Sequence, residues 1–303
     1  MNGFRNILIP LDRSQIAEQA VAVAASIARR SGGTLRLVTV EEPLPALALA
    51  SDALEVVKEV EVVDRAQLAG YLDSIAGAIR ETQGGKVESA VLHGPVAAAV
   101  SEYADDNAVD LIVLTTRGRR GFSRWVIGSM ADKLLRHIHV PVLLLHPRDP
   151  PWPINFRRIL VALDGQTEDA VLESAIALGW LYPEAHYTLT RVVEPQLPVV
   201  APLAPYPVIV EPERLEHQEA EARAYLEKVC GRLQAHGLES TYKVVVGGVA
   251  TQVLQLAETV LADCIVVGTH SPRGIERLVL GSEAERIVHG AKLPVLIVPV
   301  KAD

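Results

Sequence analysis

The sequence predicts an α/β protein: two repeats of an open five-stranded parallel sheet with helices on both faces. Three observations predict it. A fifteen-residue stretch occurs twice, TTRGRRGFSRWVIGS at 115–129 and GTHSPRGIERLVLGS at 268–282, with seven identical pairs. The repetition extends to NILIPLD (6–12) with RILVALD (158–164), HGPVAAAV (93–100) with VGGVATQV (246–253), and VPVLLL (140–145) with LPVLIV (293–298). Within each copy, short apolar runs alternate with segments of helical period. A repeat this long is a whole domain rather than a solenoid unit. Strands alternating with helices call for right-handed crossovers and a parallel sheet covered on both sides.

The elements follow in order. RNILIPL is the first strand. A helix runs from Gln15 to Arg30, because Ile16, Ala20, Val23 and Ile27 recur at spacings of four, three and four. Ser31, Gly32 and Gly33 end it. TLRLVTV (34–40) is the second strand. A variable segment over 43–63 comes next, then a helix through Leu68, Leu72, Ile75 and Ile79. KVESAVL (86–92) is a strand, 96–107 a helix and DLIVLT (110–115) a strand. A helix opens near Ser129, and PVLLLH (141–146) closes the copy. The second copy repeats this order.

The boundary falls at PRDPPWPINF (147–156), where four prolines forbid regular structure. The expected division is residues 1–147, a proline-rich linker at 148–156, and residues 157–303. Hydrophobic residues make up 49% and charged residues 22%, enough apolar material for two cores. Aromatic content is only 4%, so Ala, Val and Leu must fill them. No apolar run reaches the roughly 18 residues that a membrane span needs. The start passes directly into a strand without signal-peptide features, so the cytoplasm is the expected compartment. A net charge of −8 argues against a general nucleic-acid binder. Cys230 and Cys264 offer neither a disulfide framework nor zinc spacing, and Cys264 reads as a buried thiol.

Chemistry concentrates in the repeated loop. Each copy follows a buried-strand pattern, LIVL at 111–114 or CIVV at 264–267, and ends in Gly-Ser before a helical pattern. Ligands of open parallel sheets sit beyond the carboxyl ends of the strands. Glycines let the backbone approach a phosphate, and a helix start supplies free N–H donors. Ser129 and Ser282 stand where a capping hydroxyl could also reach a phosphate oxygen. The same pattern also serves as plain turns and caps. Neither copy has the Gly-Lys-Ser/Thr ending of a P-loop.

The loop resembles the universal stress protein pattern Gly-x2-Gly-x9-Gly-Ser/Thr, with its flanking strand and final Pro-Val strand. The resemblance covers both halves and is to the tandem type. It implies a Rossmann-like, adenine-nucleotide-binding fold, although one subgroup of that family binds no nucleotide. The pattern falls on Thr115, Gly118, Gly128 and Ser129, and on Gly268, Ser271, Gly281 and Ser282, so each half departs at one glycine. By the resemblance, the first position lies near the ribose and the later ones face the phosphates. Met130 and Glu283 follow the Gly-Ser pairs. Asp12 and Asp164 match the aspartate that approaches the nucleoside. Pro10 matches a carbonyl that meets the ribose, where the second half has Ala162. Val40 and Val192 match the backbone that reads the adenine edge. The implied cofactor is ATP, with or without Mg, and the first half, which keeps Gly118 and Gly128, is favoured.

Arg117, Arg119, Arg120 and Arg124 crowd the first loop, as a solvated face or as an attraction for polyphosphate. The second offers Arg273, Arg277 and His270. Trp125 reads as a packing residue, and His137 with His139 lack an evident third ligand. The proline-rich segment 195–215 reads as a semi-rigid flap over a site or a partner surface. A nucleotide-binding regulator is the leading function, with little or no catalysis. An interaction module with degenerate loops is the alternative, and a slow ATPase a third. The apolar ends PVLLL and PVLIV predict an intramolecular pseudo-dimer, with 141–145 antiparallel to 294–298, and leave homodimerisation open.

Overall fold

The computed structural model describes residues 3–42, 54–116, 129–135, 137–148, 152, 155–165, 168–195, 212–270 and 281–300. The first half runs β1 (Asn6–Pro10), α1 (Gln15–Ser31), β2 (Thr34–Glu41), α2 (Leu54–Thr82), β3 (Lys86–His93), α3 (Val96–Asp106), β4 (Leu111–Thr115), α4 (Ser129–Leu135) and β5 (Val142–Leu145). The second runs β6 (Arg158–Ala162), α5 (Glu168–Leu181), β7 (His186–Val193), α6 (Pro212–Ala235), β8 (Glu239–Val246), α7 (Val249–Thr259), β9 (Cys264–His270), α8 (Ser282–Gly290) and β10 (Val295–Val300).

All ten strands form one sheet in the order β3-β2-β1-β4-β5-β10-β9-β6-β7-β8. Pairing within each half is parallel, as the alternation of elements requires. The halves meet through β5 and β10, which pair antiparallel, Leu144 opposite Val295, Leu143 opposite Leu296 and Val142 opposite Ile297. This is the pairing expected from the two apolar endings. It covers the two edges that would otherwise be the most apolar in the sheet. The outer strands β3 and β8 instead carry Lys86, Glu88, Glu239 and Lys243, charges that discourage edge-to-edge association.

Apolar side chains fill both faces without a break at the junction. One core joins Leu143 and Leu145 of β5 to Leu296 and Val298 of β10, beneath α1, α2, α5 and α6. The other joins Val142 and Leu144 to Val295 and Ile297, beneath α3, α4, α7 and α8. Arg30 of α1 donates to the Leu181 carbonyl at 3.2 Å and lies 4.6 Å from the centre of the Tyr182 ring, tying α1 to α5. Burial pushes the Tyr182 hydroxyl up to about 12.

Local sequence sets the strand and helix ends. Ser14 caps α1 by accepting from Ala17 N–H at 3.1 Å, and Gly32 closes it in the left-handed region at φ 63°. Asp110 precedes β4 and accepts from the N–H groups of Arg5 and Asn6. Asp263 does the same before β9 for Arg157 and Arg158. Each aspartate thus fixes the start of its half's first strand. Burial raises the Asp110 carboxyl against those hydrogen bonds. The helix α2 begins at Leu54, inside the segment 43–63 that varies between the copies. Likewise α6 begins at Pro212, inside the proline-rich segment, as a first-turn proline allows. Residues 196–211, the core of the expected flap, lie outside the described residues. Among the described residues no helix is long and apolar enough to cross a membrane.

Candidate functional site

Each half has a cavity beyond the carboxyl ends of its strands, beside the point where the strand order reverses between β1 and β4 or between β6 and β9. Their volumes, about 540 and 450 Å3, fall in the range of small-molecule sites. The first is lined by Asp12 and Arg13 after β1, Thr39 to Glu42 at the end of β2, Asp64 and Leu68 of α2, Pro95 to Ala97 at the start of α3, and Lys133 of α4. The second gathers Asp164 after β6, Arg191, Val192 and Glu194 around the end of β7, Val249 of α7, Gly268 of β9, and Gly281, Ser282 and Glu283 at the start of α8.

The second cavity therefore brings together Asp164, Val192, Gly268, Gly281, Ser282 and Glu283, all singled out in the sequence. The first brings together Asp12 and Val40. Pro10 ends β1 opposite Val38 but is not among the described lining residues, whereas its counterpart Ala162 lines the second cavity. Ser129 and Met130 open α4. Gly118, Gly128, Arg117, Arg119, Arg120, Arg124 and Trp125 lie outside the described residues, as do Ser271, Arg273 and Arg277.

One expectation needs correction. Ser282 does not cap α8: the cap is Gly281 (φ −59°, ψ 151°), without a side-chain cap, and Ser282 is the first helical residue. The helix therefore begins one residue earlier than a serine cap would place it, and α4 likewise has Ser129 as its first helical residue. Among the described residues, a Cβ at residue 281 would meet no atom within 4 Å.

The acidic groups have partners. Asp12 Oδ1 accepts from Ser14 N–H at 3.1 Å and from its hydroxyl at 2.5 Å, which holds the β1–α1 turn. Glu283 Oε2 accepts from Ala250 N–H at 3.0 Å, and its Oε1 from Arg286 Nη1 at 2.6 Å. Glu41 lies 3.6 Å from His93 Nδ1.

Sequence reasoning missed Arg13, Lys133 and Arg191. Arg13 and Arg191 each adjoin a residue that the sequence did mark, Asp12 on a repeated stretch and Val192 by the family resemblance, so the neighbours of a marked position were the available signal. It also missed that the starts of α3 and α7 line the cavities, although HGPVAAAV and VGGVATQV recur. Among the described residues no group of three or more His, Cys, Asp or Glu is placed to hold a metal. His137 turns its Nδ1 to the Lys133 carbonyl at 2.7 Å. Cys264 is fully buried in β9, its thiol pushed up to about 12 by desolvation.

Comparison with known proteins agrees with this architecture. The model of the universal stress protein family matches twice, over residues 3–146 and 155–299. A universal stress protein of Mycobacterium tuberculosis is 24% identical over 316 aligned positions, covering 98% of this chain and 96% of its own. One of Methanocaldococcus jannaschii is 28% identical over 145 residues, 48% of this chain and 83% of its own. The crystal structure of a universal stress protein from Archaeoglobus fulgidus superposes with a TM-score of 0.72 at 18% identity, covering 97% of each chain, and so shares the fold.

Proposed function

We propose, from the premise that this chain belongs to the universal stress protein family, that it is a cytoplasmic regulatory protein of the stress response. It binds ATP or a related adenine nucleotide, with or without Mg, and turns it over little or not at all. The observation that carries this reading is the repeated cavity. In each half, a strand-one aspartate and a strand-two valine face it, and in the second the loop's Gly268, Gly281 and Ser282 join them. In this arrangement Asp12 and Val40, or Asp164 and Val192, hold the nucleoside, and the loop glycines with the serine receive the phosphates. The first half is the better site, because it keeps Gly118 and Gly128.

The non-enzymatic part rests on the carboxylates. Phosphoryl transfer to water needs an oriented nucleophile and charge stabilisation at the terminal phosphate. Glu283 follows the second Gly-Ser, but its two oxygens are engaged by Ala250 and Arg286. The half with the better site carries Met130 there. Nucleotide then acts through conformation or partner contact, and the two halves work as one pseudo-dimer. An interaction module without nucleotide is the second reading, favoured by Ser271 standing where the pattern has glycine.

Mass spectrometry of small molecules released from the purified, denatured protein tests this. Adenine nucleotide near one equivalent per chain is the expected result. Protein that is purified empty and then shows no heat with Mg-ATP contradicts the reading.

A further inference from the structure

The repeat breaks at one pair of positions on the phosphate side, and the break changes which charges reach each cavity. In the second half, Glu283 stands in the first turn of α8 and lines the cavity. Its carboxylate bridges two groups. Ala250 N–H lies in the first turn of α7, a helix whose cap residue, Gly248, makes no side-chain cap. Arg286 lies one turn along α8. Arg286 is not among the described residues that line the cavity. In the first half Met130 corresponds to Glu283 and Lys133 to Arg286. There Lys133 does line the cavity, and so do Val96 and Ala97 at the start of α3, whose cap residue Pro95 likewise provides no side-chain cap.

We infer that Glu283 excludes phosphate from the second cavity, and that Lys133 is the cation facing phosphate in the first. The inference rests on the nucleotide reading above and names what makes its two sites unequal. An anionic ligand needs amide donors and a cation at its phosphate end. Glu283 already supplies an anion to the α7 amide and draws Arg286 into an ion pair. A phosphate entering there meets the Glu283 carboxylate instead of the Arg286 guanidinium, while Arg191, the arginine that does line this cavity, comes from β7 at the nucleoside end and packs on Tyr225. The acids of the first cavity do not reverse the ranking. Asp12, Glu41, Glu42 and Asp64 come from the ends of β1 and β2 and from α2, the nucleoside end, while Lys133 comes from the helix that follows the loop. Coulomb interactions weigh by distance as well as by number.

Calorimetric titration of Mg-ATP into the full chain tests this with Glu283→Met, Glu283→Gln and Met130→Glu. Wild-type protein should take up one equivalent. Glu283→Met should gain a second, or tighten a weak second event by about tenfold. Glu283→Gln keeps an acceptor for Ala250 and is the variant least disturbing to the fold. It should gain a smaller part of that effect, because it removes only the charge. Met130→Glu should weaken the first event by about tenfold. If wild-type protein binds one equivalent and Glu283→Met and Glu283→Gln add nothing, the inference fails and the nucleotide reading stands. Two equal equivalents in wild-type protein also overturn the inference. No binding by any of the four proteins overturns both.

Discussion

The two cavities share a backbone frame and differ in where their charges come from. In the first, Arg13 follows Asp12 at φ 62°, and Thr39 precedes Val40. In the second, the same two positions are Gly165, at φ 88°, and Arg191. The arginine has changed strands. A Cβ at residue 165 would lie 2.9 Å from Arg191 Cζ, so a side chain there would displace the guanidinium from its present place. Arg191 lies against Tyr225 of α6, 5.3 Å from the ring centre. The Met130 and Glu283 pair is a second exchange of the same kind. A duplicated α/β frame preserves where a ligand would sit, while side chains arriving from different elements redistribute charge around it.

The comparison presumes that the halves are one body, and the largest effect tests that. Leu296 of β10 is 1% exposed and pairs with Leu143 of β5. Leu296→Asp buries a charge at the junction and should cost more than about 4 kcal/mol. Chemical denaturation should show both halves losing stability together. A first half that melts as in the wild type would separate the two bodies and remove the comparison's basis.

Next in size is a pH effect that originates at one residue of the first half. Thr116 leads into the first loop, and its hydroxyl lies 3.1 Å from His146 Nδ1. The counterpart Thr269 donates to the Val298 carbonyl instead, and residue 299 is proline. Burial pushes His146 down from 6.5 to about 4. The unfolded chain therefore takes up a proton that the folded chain refuses between these values. Stability is fully present above the unfolded value and falls with pH towards the folded one, by about 3 kcal/mol in total. Denaturation midpoints at pH 7.5 and 4.5 should differ more for wild-type protein than for His146→Gln. Equal pH dependence would take this histidine out of the account.

The smallest effect concerns the exchanged arginine. Gly165→Ala forces a positive φ on alanine and crowds Arg191, for a cost of about 1–2 kcal/mol. Adding Arg191→Ala should relieve the crowding but leave the backbone strain. Full recovery in the double variant would mean that contact alone fixes Gly165.

Much of this frame was legible because repetition and period carry it. The alternation of strands and helices, the parallel pairing and the β5–β10 edge follow from where LIVL, CIVV, PVLLL and PVLIV fall, whereas the strand order does not. The start of α2 at Leu54 was not legible: 43–63 differs most between the two copies, so repetition does not mark it, although Val56, Val60 and Val63 recur at helical spacings. The site was legible as far as its residues lie on repeated stretches, as Asp164 and Gly281 do, or match the family pattern, as Val192 does. Glu283 could be marked but not understood: its partner Ala250 lies 33 residues away in sequence, on another helix. The Gly165 and Arg191 exchange is likewise a tertiary contact that neither residue announces.

The central claim is that the first cavity holds an adenine nucleotide ahead of the second. Calorimetry of Mg-ATP binding to Gly128→Val and Gly281→Val tests it most directly. On the proposed nucleotide reading, a valine at either position would place a side chain in phosphate space. At residue 281 the added Cβ meets no atom of the described residues within 4 Å, so lost binding there would reflect the ligand rather than crowding against them. The account predicts that Gly128→Val abolishes the binding event, while Gly281→Val leaves it nearly unchanged. Loss of binding in Gly281→Val alone would place the nucleotide in the second half and contradict the account.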